Sequence, residues 1–343
     1  MTTKIEWCKG DDGKPGKSWN PVVGCTKIGK GCLNCYAEKM SRRLAGMAKA
    51  DIKAGRNPGK KIHYCDVVGP NGKWNGNIKL VPEASKDPLG WRKPCNIFVC
   101  SMSDLFHADV PDEFLDQVFA GISLCPQHQF IILTKRPENC VKYLLDDPVR
   151  RGYRIFKAGE MLGTYPLITR PLIGKLEQMP PWPFANLLLG FSASTQKEFD
   201  EGWGHMAPLA AAGWKVIVSL EPLLEPIDIL KAIGLALCIV GGESGPGARP
   251  CNIEHVRSIV RQCKAAGVLC FVKQLGSNPV DDDDCWKDCP QYPECYAIAK
   301  ECSAEQKKQS ITENIKHPKG GDPAEWPKDL KDLRVRQWPK LEN

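Results

Sequence analysis

The sequence predicts an α/β fold, a full or partial (β/α) barrel of the TIM-like kind. Its short apolar runs are typical of buried strands, and helical patterns such as Glu113–Leu124, Lys197–Ala212 and Glu254–Ala266 alternate with them. This alternation predicts a parallel sheet covered by helices, and the number of units favours a barrel over a doubly wound sheet. The predicted strands are one near Val22–Val23, then Asn96–Cys100, Phe130–Leu133, Leu187–Phe191, Val216–Leu220, Leu237–Val240 and Leu269–Val272.

The composition is that of an ordinary globular protein. The chain has 343 residues, of which 42% are hydrophobic and 25% charged. The segment Met1–Trp7 has no long apolar stretch like that of a signal peptide, and no later run is long enough to span a bilayer. We therefore expect a cytoplasmic protein without a membrane partner.

Three cysteines near the start of the chain, Cys25, Cys32 and Cys35, are spaced C-x6-C-x2-C. The chain has 17 cysteines, and in a large chain without a signal peptide they are more typical of metal sites and buried thiols than of disulfides. Three thiolates can hold three irons of a [4Fe–4S] cluster and leave the fourth iron open. The triplet therefore favours a reactive centre over a purely structural one.

A second group of cysteines lies near the C-terminus. Cys285, Cys289, Cys295 and Cys302 are separated by three, five and six residues. Four thiolates close the coordination of one centre, either an auxiliary iron–sulfur cluster or a structural zinc. We expect this group to bind metal without binding substrate.

The net charge of +7 is concentrated in one segment. Between Lys27 and Lys93 there are fifteen Lys and Arg residues against five Asp and Glu, a surplus of ten. Such a segment attracts polyanions in a salt-dependent way, although a solvated surface explains it equally well.

Polar side chains follow six predicted strands. The C-terminal ends of parallel barrel strands open on one face, where ligands bind. These residues are Ser101, Ser103 and Asp104; Thr134, Lys135 and Arg136; Ser192 and Ser194; Glu221; Gly241, Gly242 and Glu243; and Lys273 and Gln274. For a single serine such as Ser103 or Ser194 a helix cap is the better explanation, and a plain tight turn is the alternative for the Gly241–Gly242–Glu243 segment.

Several sequence blocks occur in a fixed order along the chain. They are Trp19–Cys25, Gly31–Glu38, Ser101–His107, Leu133–Glu138, Gly241–Pro250, Phe271–Gln274, Trp326–Leu330 and Leu333–Arg336. In these blocks the sequence resembles a phage-associated family of radical S-adenosylmethionine-like proteins, and the resemblance runs in order from Lys4 to about Pro339.

The resemblance implies a barrel of the radical S-adenosylmethionine type, whose [4Fe–4S] cluster is held by Cys25, Cys32 and Cys35. The cofactor, S-adenosylmethionine, would be cleaved to give a radical that abstracts a substrate hydrogen, with electrons from a reductant such as flavodoxin or ferredoxin. The first cysteine gap here is three residues longer than the commonest C-x3-C-x2-C pattern. The resemblance leaves open whether the enzyme is an isomerase, a lyase or a transferase.

By position, the resemblance also implies roles for the strand-end residues. Ser101, Ser103 and Asp104 would meet the methionine part, with Asp104 accepting from its amino group. The further cofactor contacts would be Ser192, Ser194, Gly241, Gly242 and Glu243, and the catalytic candidates are Lys135, Glu221 and Lys273.

Phage association, the basic segment and the aromatic residues Trp74, Trp91 and Tyr153 favour a hypermodified DNA base as substrate, in the host cytoplasm if the protein is phage-encoded. Two alternatives remain open: an enzyme acting on a free nucleotide or other small molecule, and a non-enzymatic metal-stabilised nucleic-acid-binding protein.

We expect three segments along the chain: the barrel over residues 1–278, a Cys-rich metal-binding insertion over 279–318, and a C-terminal tail over 319–343 that packs on the barrel.

Overall fold

The structure is a computed structural model that describes residues 2–3, 5–10, 13–162, 182–280, 323 and 328–339. It is a mixed α/β fold. The strands in these residues are β1 (Lys17–Trp19), β2 (Val22–Val23), β3 (Lys79–Leu80), β4 (Asn96–Val99), β5 (Gln129–Thr134), β6 (Leu187–Ser192), β7 (Lys215–Leu220), β8 (Leu235–Gly241), β9 (Cys251–Asn252), β10 (Leu269–Gln274) and β11 (Pro279–Val280).

Six α-helices accompany these strands in the described part of the chain. They are α1 (Tyr36–Lys53), α2 (Asp112–Ser123), α3 (Pro137–Leu145), α4 (Pro148–Met161), α5 (Gln196–Ala211) and α6 (Ile253–Ala266).

The main sheet has seven strands in the order β1-β4-β5-β6-β7-β8-β10. The pairs β1/β4, β4/β5, β5/β6 and β8/β10 are parallel. This order is consistent with a partial (β/α) barrel, as the sequence predicts. The strands read as continuous apolar runs because both of their faces are covered; all four residues of β4, for example, are buried.

The six predicted strands from Asn96 onward are confirmed as β4 to β8 and β10, and the three predicted helices as α2, α5 and α6. The strand predicted near Val22–Val23 exists, but the prediction that it belongs to the main sheet is wrong. This strand pairs antiparallel with β3, outside the main sheet, and β1 is the strand that precedes the cysteine loop in the sheet. A two-residue strand carries no signal of its pairing partner.

The described chain divides into two compact units. The first comprises Met1–Phe191 with Gly204–Val216, and the second Ser192–Trp203 with Ile217–Pro339.

In the first unit, an apolar cluster holds α1 and the cysteine loop. Ala37 and Ala45 of α1 are buried against Val23, Tyr64 and Val67. Trp19, fully buried at the end of β1, donates from its indole nitrogen to the carbonyl of Ala84 at 2.7 Å. A buried indole needs such an acceptor, so this bond fixes the point where the chain leaves the sheet.

In the second unit, β8 pairs with β10 and α6 joins them. The side chain of Asn252 caps α6 by accepting from the backbone nitrogen of Glu254 at 2.8 Å. Gly267, at φ +67°, ends the helix in the left-handed conformation that glycine favours.

Part of the predicted C-terminal tail belongs to this second unit. A 3₁₀ helix over Lys328–Leu333 lies against α6, where Asp332 pairs with Arg257 at 3.2 Å. The backbone nitrogen of Val272 in β10 donates to the carbonyl of Val335 at 2.8 Å. Most of the predicted insertion over 279–318 lies outside the described residues.

No helix in the described ranges is both long enough and apolar enough to cross a membrane.

Candidate functional site

The cysteine loop is anchored beside the end of β4. Gly24, which precedes Cys25, forms a parallel bridge with Ser103. Its φ of +88° suits glycine, and a β-carbon here would lie 2.3 Å from the carbonyl oxygen of Asn77. The backbone geometry at Gly24 therefore sets where Cys25 lies.

Ser101 and Ser103 tie the end of β4 to the chain that follows β1. The hydroxyl of Ser101 donates to the side-chain oxygen of Asn20 at 3.1 Å, and that of Ser103 donates to the carbonyl of Val22 at 2.7 Å. Both hydroxyl protons are therefore donated within the protein, so towards a ligand each hydroxyl can act only as an acceptor.

Asp104 is a buried carboxylate with four donors. Oδ1 accepts from the hydroxyl of Thr134 at 2.6 Å and from the backbone nitrogen of Phe106 at 3.1 Å. Oδ2 accepts from the backbone nitrogen of Lys135 at 3.0 Å and from Nη1 of Arg136 at 2.9 Å. These bonds join the loops that follow β4 and β5.

Arg136 extends this network to the cysteine loop. Its Nη2 donates to the carbonyl of Thr26 at 3.1 Å and to the Thr26 hydroxyl at 2.7 Å, and its Nη1 lies 3.9 Å from Sγ of Cys25. Burial by itself lowers the pKa of Arg136, but the Asp104 carboxylate and the Cys25 thiol outweigh it and the pKa is raised. The guanidinium is thus a permanent buried cation beside Cys25.

The three thiols of the loop are free and half-buried. Burial, and next the charge of Asp104, raise the pKa of Cys25 to about 11, while Arg136 acts in the opposite direction. Burial likewise raises the pKa of Cys35, which directly precedes α1. Arg136 thus favours the Cys25 thiolate, the form that binds metal.

The donor chemistry of the loop fits an iron–sulfur cluster, because thiolates are its usual ligands. In the described ranges, however, no three His, Cys, Asp or Glu side chains are grouped closely enough to hold a metal ion.

His107, to which the sequence analysis assigns no role, joins the same network. Its Nδ1 accepts from the backbone nitrogen of Asp109 at 3.2 Å, so the ring proton is on Nε2, which lies 2.8 Å from the hydroxyl of Thr26. Burial and the nearby Arg136 lower the pKa of His107, which favours this neutral form. Its position in the Ser101–His107 block was the only sequence signal.

The second unit brings together two of the three catalytic candidates. Nζ of Lys273, at the end of β10, lies 2.7 Å from Oε1 of Glu221, which directly follows β7. Oε2 of the same carboxylate accepts from the hydroxyl of Ser219 at 3.0 Å. The third candidate, Lys135, belongs to the first unit, where its side chain is half-buried.

Glu243 is held by Arg249. Nη2 of Arg249 lies 2.6 Å from Oε1, and both Nε and the backbone nitrogen of Arg249 donate to Oε2, at 3.0 and 2.9 Å. A forked ion pair of this kind fixes the loop that follows β8.

The glycines before Glu243 are needed for close packing. A β-carbon at Gly242 would lie 2.3 Å from the carbonyl of Leu275, and one at Gly241 would lie 2.9 Å from the carbonyl of Gln274. The backbone nitrogen of Gly242 donates to the Gln274 carbonyl at 2.9 Å. Close approach of the β10 end thus accounts for both glycines.

Ser192 ends β6 half-buried, whereas Ser194 is fully buried. The hydroxyls of Ser194 and Ser244 are shielded from solvent and have no hydrogen-bond partner in the described part of the chain. Buried hydroxyls are normally paired, so these two are exceptions to the usual pattern.

A family described as "Protein of unknown function (DUF5131)" matches residues 2–324 of the chain. The chain belongs to the DUF5131 family. The match includes the cysteine loop and every strand end described above. No curated protein matches the chain, and no solved structure matches it.

The second cysteine group, Cys285, Cys289, Cys295 and Cys302, lies within the family match but outside the described residues.

Proposed function

We propose that this member of the DUF5131 family is a radical S-adenosylmethionine enzyme that acts on a hypermodified base in DNA. The observation that carries the proposal is the environment of Cys25: a thiol of the C-x6-C-x2-C loop lies beside a buried Arg136–Asp104 pair at the ends of β4 and β5. Strand ends are where α/β enzymes bind ligands.

In this proposal Cys25, Cys32 and Cys35 hold a [4Fe–4S] cluster. When bound, the cluster supplies the electron that cleaves S-adenosylmethionine. The chain's own contribution is orientation. Arg136 fixes the loop through Thr26 and places a positive charge next to Cys25, which favours the ligating thiolate.

Asp104 acts as a positioning residue in this scheme. Its two oxygens already accept four hydrogen bonds from the protein, which uses the sites that a carboxylate offers. We therefore replace its expected role as acceptor of the cofactor amino group by the role of holding Arg136.

The second unit offers the polar groups suited to ligand contact. Ser194 and Ser244 have unpaired buried hydroxyls, and Glu221 and Lys273 form a pair through which a proton can be held or moved. Auxiliary iron–sulfur or zinc binding by Cys285, Cys289, Cys295 and Cys302 is part of the same proposal, as is a flavodoxin- or ferredoxin-like reductant.

The test is an anaerobic assay of the reduced full-length protein with S-adenosylmethionine, following 5′-deoxyadenosine. We expect brown protein that forms this product, and Cys32→Ala should lose both properties. The matched control is Cys65→Ala, which removes a thiol of similar exposure outside the triplet and should retain both.

Colourless zinc protein without product would favour the non-enzymatic nucleic-acid-binding alternative. Turnover of free nucleosides without turnover of DNA would instead favour the small-molecule alternative.

A further inference from the structure

An open groove of about 520 Å³ lies between α1 and the turn that contains Gly72. We call it the basic groove. Its lining residues are Glu38, Lys39, Arg42, Arg43, Gly46, Asn71, Gly72 and Lys73.

The four cations of the basic groove are exposed and unpaired. Within the described residues, Lys39, Arg42, Arg43 and Lys73 have no ion pair, whereas each acidic residue between Lys27 and Lys93 already has a partner. Those pairs are Lys27–Glu38, Lys61–Asp51, Lys79–Asp66, His63–Glu83 and Lys60–Asp87. The surplus charge of the basic segment is therefore partly gathered in one concave place.

The one acid of the groove does not compensate these cations. Glu38 is buried, and its Oε2 lies 2.7 Å from Nζ of Lys27, a residue of the cysteine loop. Its Oε1 accepts from the backbone nitrogen of Trp74 at 3.1 Å. The same contacts connect the groove to the cysteine loop.

Both walls of the groove are ordered by local structure. Lys39, Arg42 and Arg43 share one face of α1, since residues three and four apart are neighbours on a helix. On the other wall the side chain of Asn71 accepts from the backbone nitrogen of Lys73 at 3.0 Å. Arg42 runs so close to Gly72 that a β-carbon there would lie 2.7 Å from its Cδ.

This arrangement suits a nucleic-acid backbone. From Lys39 to Gly46 the helix rises about 10 Å, whereas one strand of DNA advances about 3.4 Å along the duplex axis for each phosphate. This wall is therefore long enough to contact at least two successive phosphates. A groove can enclose a strand, whereas the surface of a lipid bilayer is flat.

We propose that the basic groove binds the sugar–phosphate backbone of the DNA substrate and so guides the strand towards the cysteine loop. The inference rests on the proposed function for the identity of the polymer. The contacts are to phosphate, so they position the strand without reading its sequence.

The test measures binding of the full-length protein to a fluorescein-labelled DNA duplex of unmodified bases, by fluorescence anisotropy over a salt series. Each lost phosphate contact reduces the slope of log affinity against log salt by about 0.9. The double variant R42Q/R43Q should therefore lose about 1.8 of the slope. Its loss of affinity between 50 and 200 mM salt should be about 12-fold smaller than that of the wild type.

Two further variants isolate the groove. R92Q/K93Q removes two exposed cations of the same segment outside the groove and should keep the wild-type slope. R42K/R43K keeps both positive charges in the groove and should also keep the wild-type slope. The proposal is overturned if R92Q/K93Q lowers the slope as much as R42Q/R43Q does, or if R42Q/R43Q matches the wild type while remaining folded by circular dichroism.

Vesicles of phosphatidylserine and phosphatidylcholine test the competing partner. Binding to these vesicles through Arg42 and Arg43, without binding to DNA, would also overturn the proposal. The measurement needs neither reductant nor S-adenosylmethionine, so DNA binding is measured independently of the radical chemistry. Failure of the groove and failure of the radical chemistry therefore give different results.

Discussion

His128 is completely buried immediately before β5, and both of its ring nitrogens have partners. Nε2 lies 2.8 Å from the carbonyl of Trp91 and therefore carries the proton, and Nδ1 lies 3.6 Å from Sγ of Cys95. Burial lowers the pKa of His128, with a smaller contribution in the same direction from Lys17, although the Trp91 carbonyl acts against them. The folded protein thus holds this histidine neutral.

This histidine should make stability depend on pH. Its pKa is lower in the folded chain than the ordinary value of 6.5, so below that value the unfolded chain binds a proton that the folded chain does not. The free energy of unfolding should therefore fall from pH 7 to about 5.5. The amide of H128Q can still donate to the Trp91 carbonyl. Urea titrations at the two pH values should show a smaller decrease in the free energy of unfolding for H128Q than for the wild type.

The control for this prediction is H205Q, which replaces an exposed histidine of α5 and should keep the wild-type pH dependence. If the free energy of unfolding of H128Q and of the wild type decreased equally between the two pH values, His128 would not be the source of the pH dependence.

Arg136 holds three loops together. It is the second residue after β5, pairs with Asp104 after β4, and donates to Thr26 in the cysteine loop that follows β1 and β2. Its side chain is only 7% exposed, so few water molecules can replace these contacts. The register of the cysteine loop therefore depends on one side chain of a different loop.

Replacing Arg136 by methionine should destabilise the protein strongly. Removal of one partner of a buried ion pair leaves the other charge uncompensated, which costs about 3–5 kcal/mol. Because Asp104 keeps three other donors, we expect R136M to lower the free energy of unfolding by about 3 kcal/mol in urea titrations.

R56M is the matched control, since Arg56 also pairs with an aspartate but has 64% of its side chain exposed. Surface pairs contribute little, so its stability should stay close to that of the wild type. If R136M were no less stable than R56M, Arg136 would not hold the loops.

Local patterns were enough to predict most strands and only part of the site. β5 and β8 are buried on both faces, so their apolar runs are visible in the sequence. β1 has three residues, two of them polar, and the pairing of β2 with β3 joins segments far apart in the chain. Short strands of this kind are specified by tertiary contacts.

The same difference separates the motifs of the site from its contacts. The spacing of the cysteines and the strand-end positions of Asp104 and Arg136 are visible in the sequence. The pairing of Asp104 with Arg136, and the contact of Arg136 with Thr26, exist only once β4, β5 and the cysteine loop are adjacent. The sequence therefore identifies these residues. The hydrogen bonds of Asp104, however, do not favour the ligand-binding role that the family resemblance implies for it.

The charge is unevenly distributed along the chain. The chain carries +7, and the segment from Lys27 to Lys93 carries +10, so the remaining residues sum to −3. A field of this kind orients a polyanion towards this segment, which contains the basic groove and most of the cysteine loop. Substrate recruitment and the proposed chemistry are thus assigned to neighbouring parts of the chain.

The cysteines are distributed just as unevenly, and this leads to a prediction about metal content. Thirteen of the seventeen are described, and eight of these are buried as free thiols, among them Cys100, Cys125, Cys238 and Cys270. The four cysteines outside the described residues form the C-terminal group. If the two groups bind separate centres, Cys32→Ala should remove about four iron atoms per chain. Cys289→Ala should remove either about four further iron atoms or one zinc.

Elemental analysis of anaerobically purified full-length protein measures both losses. They should add in the double variant, because the two groups serve different centres. Cys125→Ser, which changes a buried thiol outside both groups, should keep the wild-type metal content. A single centre shared by the two groups would instead make either alanine variant lose the same metal as the double variant. Full retention of iron in Cys32→Ala would show that the triplet is not a cluster site, whatever the C-terminal group binds.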